Sequence, residues 1–203
     1  MIDRLKQVSG RDVSRETYER LEAYAALLVE ESRKQNLIAA STLVRLWERH
    51  LVDSAQLLRY APAGSWVDIG SGAGLPGVVI AILSGDPVTL VEPRRLRTEF
   101  LTRVKDRLDL SNITIIHGKG SAICAMFEKI TARAVAPATE LLAMTHHLSR
   151  PDTVWLLPKG RSAQKELDEV RRSWQGAFRL EPSLTDPDAS ILLATGVVSR
   201  GKR

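Results

Sequence analysis

Apolar positions recur at helical spacing from Ser14 to about Lys34, where Tyr18, Leu21, Ala25 and Leu28 fall on one side and Ser14 stands as an N-cap. A second helical pattern runs from about Thr42 to Tyr60, with Leu43, Leu46, Trp47, His50, Leu51, Ser54, Leu57 and Leu58 sharing a face. The turn Ala61-Pro62-Ala63-Gly64 closes this helical stretch. From Trp66 onward, short apolar runs alternate with helical ones. The runs predict strands at Trp66–Ile69, Val88–Val91, Ile113–His117, Ile130–Ala134 and Thr153–Leu157, and a late pair near Phe178 and at Ile191–Thr195. Helices are predicted near Gly77–Leu83, Arg95–Leu108, Ala138–Leu148 and Ser162–Trp174. Such alternation builds a parallel sheet with crossover helices. The last two strands, linked through Pro182 to Pro187, leave no room for a long helix and should pair antiparallel. The pattern thus predicts an α/β fold: a mostly parallel seven-stranded sheet with helices on both faces and its last strand antiparallel. Residues 1–60 form a helical extension packed on the same core as the main domain, 61–203. A short basic tail, Arg200 to Arg203, is expected to be mobile.

Length and composition narrow the picture. A chain of 203 residues suits one core, and its 44% hydrophobic and 26% charged content is that of an ordinary folded protein. The longest apolar run, Gly77 to Leu83, is about a third of a membrane span, and the N-terminus lacks the apolar stretch of a signal peptide. A cytoplasmic location is expected. The single cysteine and four scattered histidines offer neither a disulfide nor a zinc-binding spacing, so no metal is expected. The formal charge of +5 fits a partner that carries phosphates.

The most informative stretch is Trp66-Val67-Asp68-Ile69-Gly70-Ser71-Gly72-Ala73-Gly74-Leu75-Pro76-Gly77, a strand, a glycine-rich turn and a helix start. Gly70, Gly72 and Gly74 let the backbone turn sharply and approach a ligand where a Cβ would collide. Gly72 to Gly77 also satisfies the dinucleotide pattern G-x-G-x-x-G, which raises an NAD-linked oxidoreductase as a competing reading. The acid just ahead of the first glycine argues against it, because a carboxylate beside a helix N-terminus repels a pyrophosphate. An acid there suits a cation. S-adenosylmethionine carries a sulfonium and an ammonium group, so Asp68 is expected to act, directly or through water, on its amino-acid end. Glu92, where the second strand ends, is expected to accept both ribose hydroxyls.

The chain resembles the bacterial small-subunit rRNA guanine-N7 methyltransferases called the RsmG or GidB family. The resemblance lies in Asn36-Leu37, Arg49-His50-Leu51-Val52-Asp53-Ser54, the run Asp68 to Gly77, Arg133-Ala134 and Lys159-Gly160. It implies a Rossmann-like class I methyltransferase that moves a methyl group from S-adenosylmethionine to N7 of a guanine in the 530 loop of 16S rRNA, working as a monomer on 16S rRNA or the small subunit. By position it implies cofactor contacts at Gly70, Leu75, Gly120, Ser121 and Arg133. Two positions depart from the family: Ile38 stands where Thr is usual, and Gly120-Ser121 lacks an acid often found there. The alternative reading is a non-catalytic RNA-binding assembly factor on the same fold.

Guanine N7 offers a lone pair in the neutral base, so methyl transfer to it needs alignment rather than a proton acceptor. No catalytic base is expected. After the fourth strand the chain reads Thr131-Ala132-Arg133-Ala134-Val135-Ala136-Pro137, not the Asp/Asn-Pro-Pro-Tyr of an exocyclic-amine methyltransferase. Cys124, in an apolar run, reads as a buried filler rather than a cytosine nucleophile. Arg133 should face the site, to position cofactor or to donate to guanine O6. Lys159 and Arg161 follow the fifth strand on the same rim and are RNA candidates, or a solvated pair of charges. Arg49 and Asp53, spaced i, i+4, could pair with each other. His50 reads equally as a core histidine. The resemblance turns Asn36, Arg49, His50 and Asp53 toward function. The helix from Pro93 to Leu108, rich in Arg and Lys, is a solvated face or a phosphate-contacting flank.

Overall fold

A computed structural model describes residues 1–200 of the chain. Of the basic tail, Gly201 to Arg203 lies outside the described residues. Three helices come first: α1 (Ile2–Ser9), α2 (Arg15–Ser32) and α3 (Ala40–Leu43). The short α1 was not expected from the sequence. It is anchored by Leu5 and Val8, both fully buried, and ends at Gly10 with φ +67°, a left-handed C-cap that a glycine adopts freely. Ser14 caps α2 as expected, its Oγ accepting from the Thr17 amide at 3.1 Å. The helix expected over Thr42–Tyr60 is instead three windings: a π-type turn at Trp47–Val52, α4 (Asp53–Ala55) and a 3₁₀ turn at Gln56–Tyr60. Leu51, Leu57 and Leu58 still point inward.

The sheet runs β3-β2-β1-β4-β5-β7-β6, built from β1 (Trp66–Ile69), β2 (Val88–Glu92), β3 (Ile113–His117), β4 (Phe127–Thr131), β5 (Ser149–Lys159), β6 (Trp174–Pro182) and β7 (Ser190–Ser199). The first five strands are parallel, and β7 pairs antiparallel with both β5 and β6. Helices α5 (Gly77–Ser84), α6 (Arg95–Arg107), α7 (Ala138–Thr145) and α8 (Ala163–Ser173) complete the crossovers. β1 is buried along its whole length, as a parallel strand covered on both faces must be. Trp66 joins the core formed with α1, α2, α5 and α6, whereas Val67 and Ile69 join the core formed with α7 and α8. By the same alternation Asp68 faces the α5 side.

Two expectations are corrected. β4 begins and ends earlier than Ile130–Ala134: Lys129–Thr131 pairs with Trp66–Asp68 on one side and with Val154–Leu156 on the other, and neither ladder continues past Thr131. Arg133 therefore sits in a loop just past the strand. Cys124 is exposed, not buried, because Ile123 and Phe127 turn inward while the residues between them face out.

Candidate active site

Parallel strands share polarity, so the turns after β3, β2, β1, β4 and β5 meet on one rim of the sheet. Register places Ile69 beside Val91 and Glu92 beside His117. The glycine turn is fastened to β2 by four bonds. The Gly70 and Ser71 amides donate to the Val91 carbonyl at 2.8 and 3.1 Å, Ser71 Oγ accepts from the Val91 amide at 3.1 Å, and the Gly72 amide donates to Glu92 Oε2 at 2.8 Å. Glu92 Oε1 accepts from the Arg94 amide at 2.9 Å. The carboxylate is thus held by one backbone N–H on each oxygen, and each oxygen keeps a lone pair for further donors.

The glycines divide by role. Gly70, Gly72 and Gly74 have φ of +69°, +55° and +91°, a region where side chains are strained. A Cβ on Gly72 would meet nothing closer than 3.5 Å, so its surroundings are open to a ligand. A Cβ on Gly74 would lie 2.6 Å from Val78 Cγ2, and one on Gly77 would lie 2.3 Å from Leu90 Cδ2 and 2.7 Å from Asp68 Oδ2. Those two positions are small because helices pack there. Tyr24, fully buried on α2, braces the turn from behind by donating to the Ala73 carbonyl at 2.8 Å. The sequence reading passed over Tyr24, although its place on the apolar face of α2 was the available signal.

Asp68 is fully buried. Its Oδ2 accepts from the Gly77 amide at 3.0 Å, and its Oδ1 has no hydrogen-bond partner among the described residues. It fastens the start of α5 to β1, and burial pushes its carboxyl up to about 7. Gly120 packs under Ile69 with its carbonyl accepting from His147 Nε2 at 3.2 Å, and Ser121 beside it is exposed.

On the same rim opens a cavity of about 670 Å³, lined by Arg49, His50, Asp53, Arg133, Lys159 and Gly160 among others but by no residue of the glycine turn, to which it is joined through Val135, packed against Gly70. Arg133 Nη1 lies 3.6 Å from Asp53 Oδ2. The following residue, Ala134, has φ +56°, an uncommon strain for a non-glycine residue that aims this loop into the cavity. Asp53 Oδ1 accepts from the Thr185 hydroxyl at 2.6 Å and from Gln56 Nε2 at 2.8 Å. Arg49 pairs with Asp186 rather than with Asp53. The π-type turn explains this: winding i to i+5 takes positions four apart out of line. Gln56, Thr185 and Asp186 escaped the sequence reading, because the loop that carries the last two is remote in sequence.

The remaining candidates scatter. Lys159 is paired with Glu166 at 2.8 Å and donates to the Ala136 carbonyl at 3.1 Å, so its charge is satisfied inside the protein rather than offered to phosphate. Arg161 is exposed and pairs with Asp188 at 2.8 Å. Asn36 is exposed and does not line the cavity, where its neighbours Leu37 and Ile38 do. His50 lies 2.8 Å from Thr42 Oγ1, whose own hydrogen goes to the Ala39 carbonyl at 2.7 Å. The histidine must therefore donate through Nε2, which leaves a bare Nδ1, buried and without a partner among the described residues. Burial, helped by Arg133 and Arg49, drives its pKa down to about 4, so it is neutral at pH 7.

Asp68 and His50 titrate against each other. Between about pH 4 and 7 the folded state keeps a proton on Asp68 that the unfolded chain releases, so stability falls as pH rises, by on the order of 4 kcal/mol at most. Between about pH 4 and 6.5 the unfolded chain protonates His50 and the folded state does not, so stability rises with pH. The two slopes oppose. Denaturant melts of ligand-free protein at pH 4.5 and pH 7 should show Asp68→Asn gaining stability toward neutrality relative to the unaltered protein, and His50→Gln losing it. Parallel pH curves for all three proteins would refute both assignments.

No helix among the described residues is long and apolar enough to cross a membrane. The fold matches solved structures. A mutant of MtNAS in complex with S-adenosylmethionine superimposes with a TM-score of 0.59 at 20% identity, covering 87% of this chain and 71% of that one. An S-adenosyl-L-methionine-dependent methyltransferase from Methanococcus maripaludis, described as putative, gives 0.59 at 12% identity over 86% and 93%. The mostly parallel seven-stranded sheet, with β7 antiparallel to its neighbours, is the fold of Rossmann-like, class I methyltransferases. The family described as GidB, rRNA small subunit methyltransferase G, matches residues 17–182, and the chain belongs to it. Proteins named ribosomal RNA small subunit methyltransferase G are 48% identical in Novosphingobium aromaticivorans, over 86% of this chain and 78% of the relative. In Rhizorhabdus wittichii the identity is 45%, over 96% and 92%.

Proposed function

We propose that the protein transfers the methyl group of S-adenosylmethionine to N7 of a guanine in the 530 loop of 16S rRNA. The observation that carries this reading is the placement, on one sheet rim, of an acid-tipped glycine turn beside a cavity lined by Arg133, Asp53 and Arg49. The donor's shape and charge suit the first part. Glu92 accepts the ribose hydroxyls with the lone pairs its backbone bonds leave over, and Gly72 gives the ligand access to bare backbone, whereas Gly70 is small because Val135 packs over it. Asp68 departs from the contact with the donor's amino-acid end that the sequence suggested: fully buried on the α5 side of β1, with Oδ2 on the Gly77 amide, it acts as the brace that shapes the turn from behind. Leu75, Gly120 and Ser121 complete the pocket, and Arg133 stands between it and the cavity.

When bound, S-adenosylmethionine supplies an electrophilic methyl whose bonding pair returns to sulfur as N7 takes the carbon. The protein's part is to hold the base in line and to exclude water. No side chain needs to remove a proton. Residues 1–60 act as one unit with 61–203, bracing the glycine turn through Tyr24 and furnishing one wall of the cavity through Arg49, His50 and Asp53. The protein works as a monomer in the cytoplasm. Mapping N7-methylguanine in 16S rRNA should show one site lost in cells lacking the gene and restored by its return. An unchanged pattern would reject the target. Calorimetric binding of S-adenosylmethionine separates the enzyme from a non-catalytic assembly factor.

A further inference from the structure

The Asp53 carboxylate divides its two oxygens between two tasks. Oδ1 is fixed by Thr185 and by Gln56, and Gln56 is itself held by the Leu184 amide, which donates to its Oε1 at 2.8 Å. Oδ2 has no hydrogen-bond partner among the described residues. Its nearest cation, Arg133 Nη1, stands 3.6 Å away, beyond hydrogen-bond reach, and both groups line the same cavity. An acceptor, fixed through its other oxygen, and a donor therefore lie side by side. The tether rests on the π-type turn that ends next to Asp53 and on the loop between β6 and β7.

Guanine presents the complementary pair. Around its ring, N7 is followed by the O6 acceptor, then by the N1–H and 2-amino donors. Adenine presents a donor at C6 and a bare N1, the reverse order. With N7 turned toward the glycine turn, O6 meets Arg133 next to it, and N1–H falls one step further, where Asp53 stands. We propose that Asp53 determines guanine specificity by accepting the N1–H edge on Oδ2 while Arg133 donates to O6. This inference rests on the function proposed above. It also has a catalytic consequence. As N7 takes the methyl group the base becomes cationic and its N1–H more acidic, so the bond to Asp53 strengthens on the way to the transition state and should raise kcat as well as binding.

Asp53→Asn tests it. The amide oxygen can keep both bonds from Thr185 and Gln56, so the tether to the β6–β7 loop survives, but an N–H₂ replaces the free oxygen and opposes the base's own donors. With tritiated S-adenosylmethionine and small ribosomal subunits from cells lacking the enzyme, kcat/KM is expected to fall at least about a hundredfold, largely through kcat. Affinity for S-adenosylmethionine and the melting temperature should stay close to those of the unaltered protein. On subunits rebuilt with adenosine at the target position, the variant should lose no activity, so its preference for guanosine shrinks. Near-normal kcat/KM in Asp53→Asn would overturn the proposal, as would an equal loss of cofactor affinity, which would make Asp53 a structural tether only. No methyl transfer by the unaltered protein would instead sink the parent reading, and this inference with it.

Discussion

Gly72→Val is expected to weaken S-adenosylmethionine binding by at least about a thousandfold, roughly 4 kcal/mol, while the protein still folds. Because the nearest atoms to an added Cβ are 3.5 Å away, the side chain collides with no neighbour in the protein. Its cost to folding is the left-handed φ of +55°, about 1–2 kcal/mol for a side-chain-bearing residue. For a chain of this size that lowers the melting temperature by roughly 2–8 °C. The larger loss falls on the ligand, which must approach where the valine branches. Calorimetric titration beside a thermal melt separates the two effects, and normal affinity in a folded Gly72→Val protein would misplace the cofactor site.

Gly77→Ala should behave in the opposite sense. Its Cβ would lie 2.3 Å from Leu90 Cδ2 and 2.7 Å from Asp68 Oδ2, and both residues are fully buried. Overpacking of this kind costs about 3 kcal/mol, or a fall in melting temperature of roughly 6–12 °C. Gly160→Ala, with nothing within 4 Å of its Cβ, is the control and should change stability by less than about 0.5 kcal/mol. If Gly77→Ala melts with the control, the close packing of α5 on β1 and β2 is wrong.

These two glycines show what could be read from the sequence and what could not. The G-x-G-x-x-G spacing made Gly72 and Gly77 look equivalent, yet one faces open space and the other a leucine on β2. Nothing local distinguishes them, because Leu90 reaches Gly77 only once the sheet is assembled. The strands themselves were legible, since buried parallel strands read as short apolar runs bounded by turns. The misplaced β4 has a related cause: Ala132 and Ala134 flank Arg133 in a pattern that reads as more strand, yet both of the ladders that hold β4 end at Thr131. At the site, Glu92 was legible because it ends a strand after an acid-flanked turn. The pairs Arg49 with Asp186 and Arg133 with Asp53 were hidden by distance along the chain, and the i, i+4 rule suggested the wrong partner for Arg49 where the helix widens. Lys159 looked free to meet phosphate until α8 brought Glu166 beside it.

The hydrogen bonds that hold Asp53 and Gln56 to the β6–β7 loop join residues 127 to 132 positions apart. Every part of the cofactor pocket, in contrast, has been synthesised by Arg133. The residues of the methyl-donor half thus lie together early in the chain, whereas the base-reading half is closed only by Ser183 to Ala189.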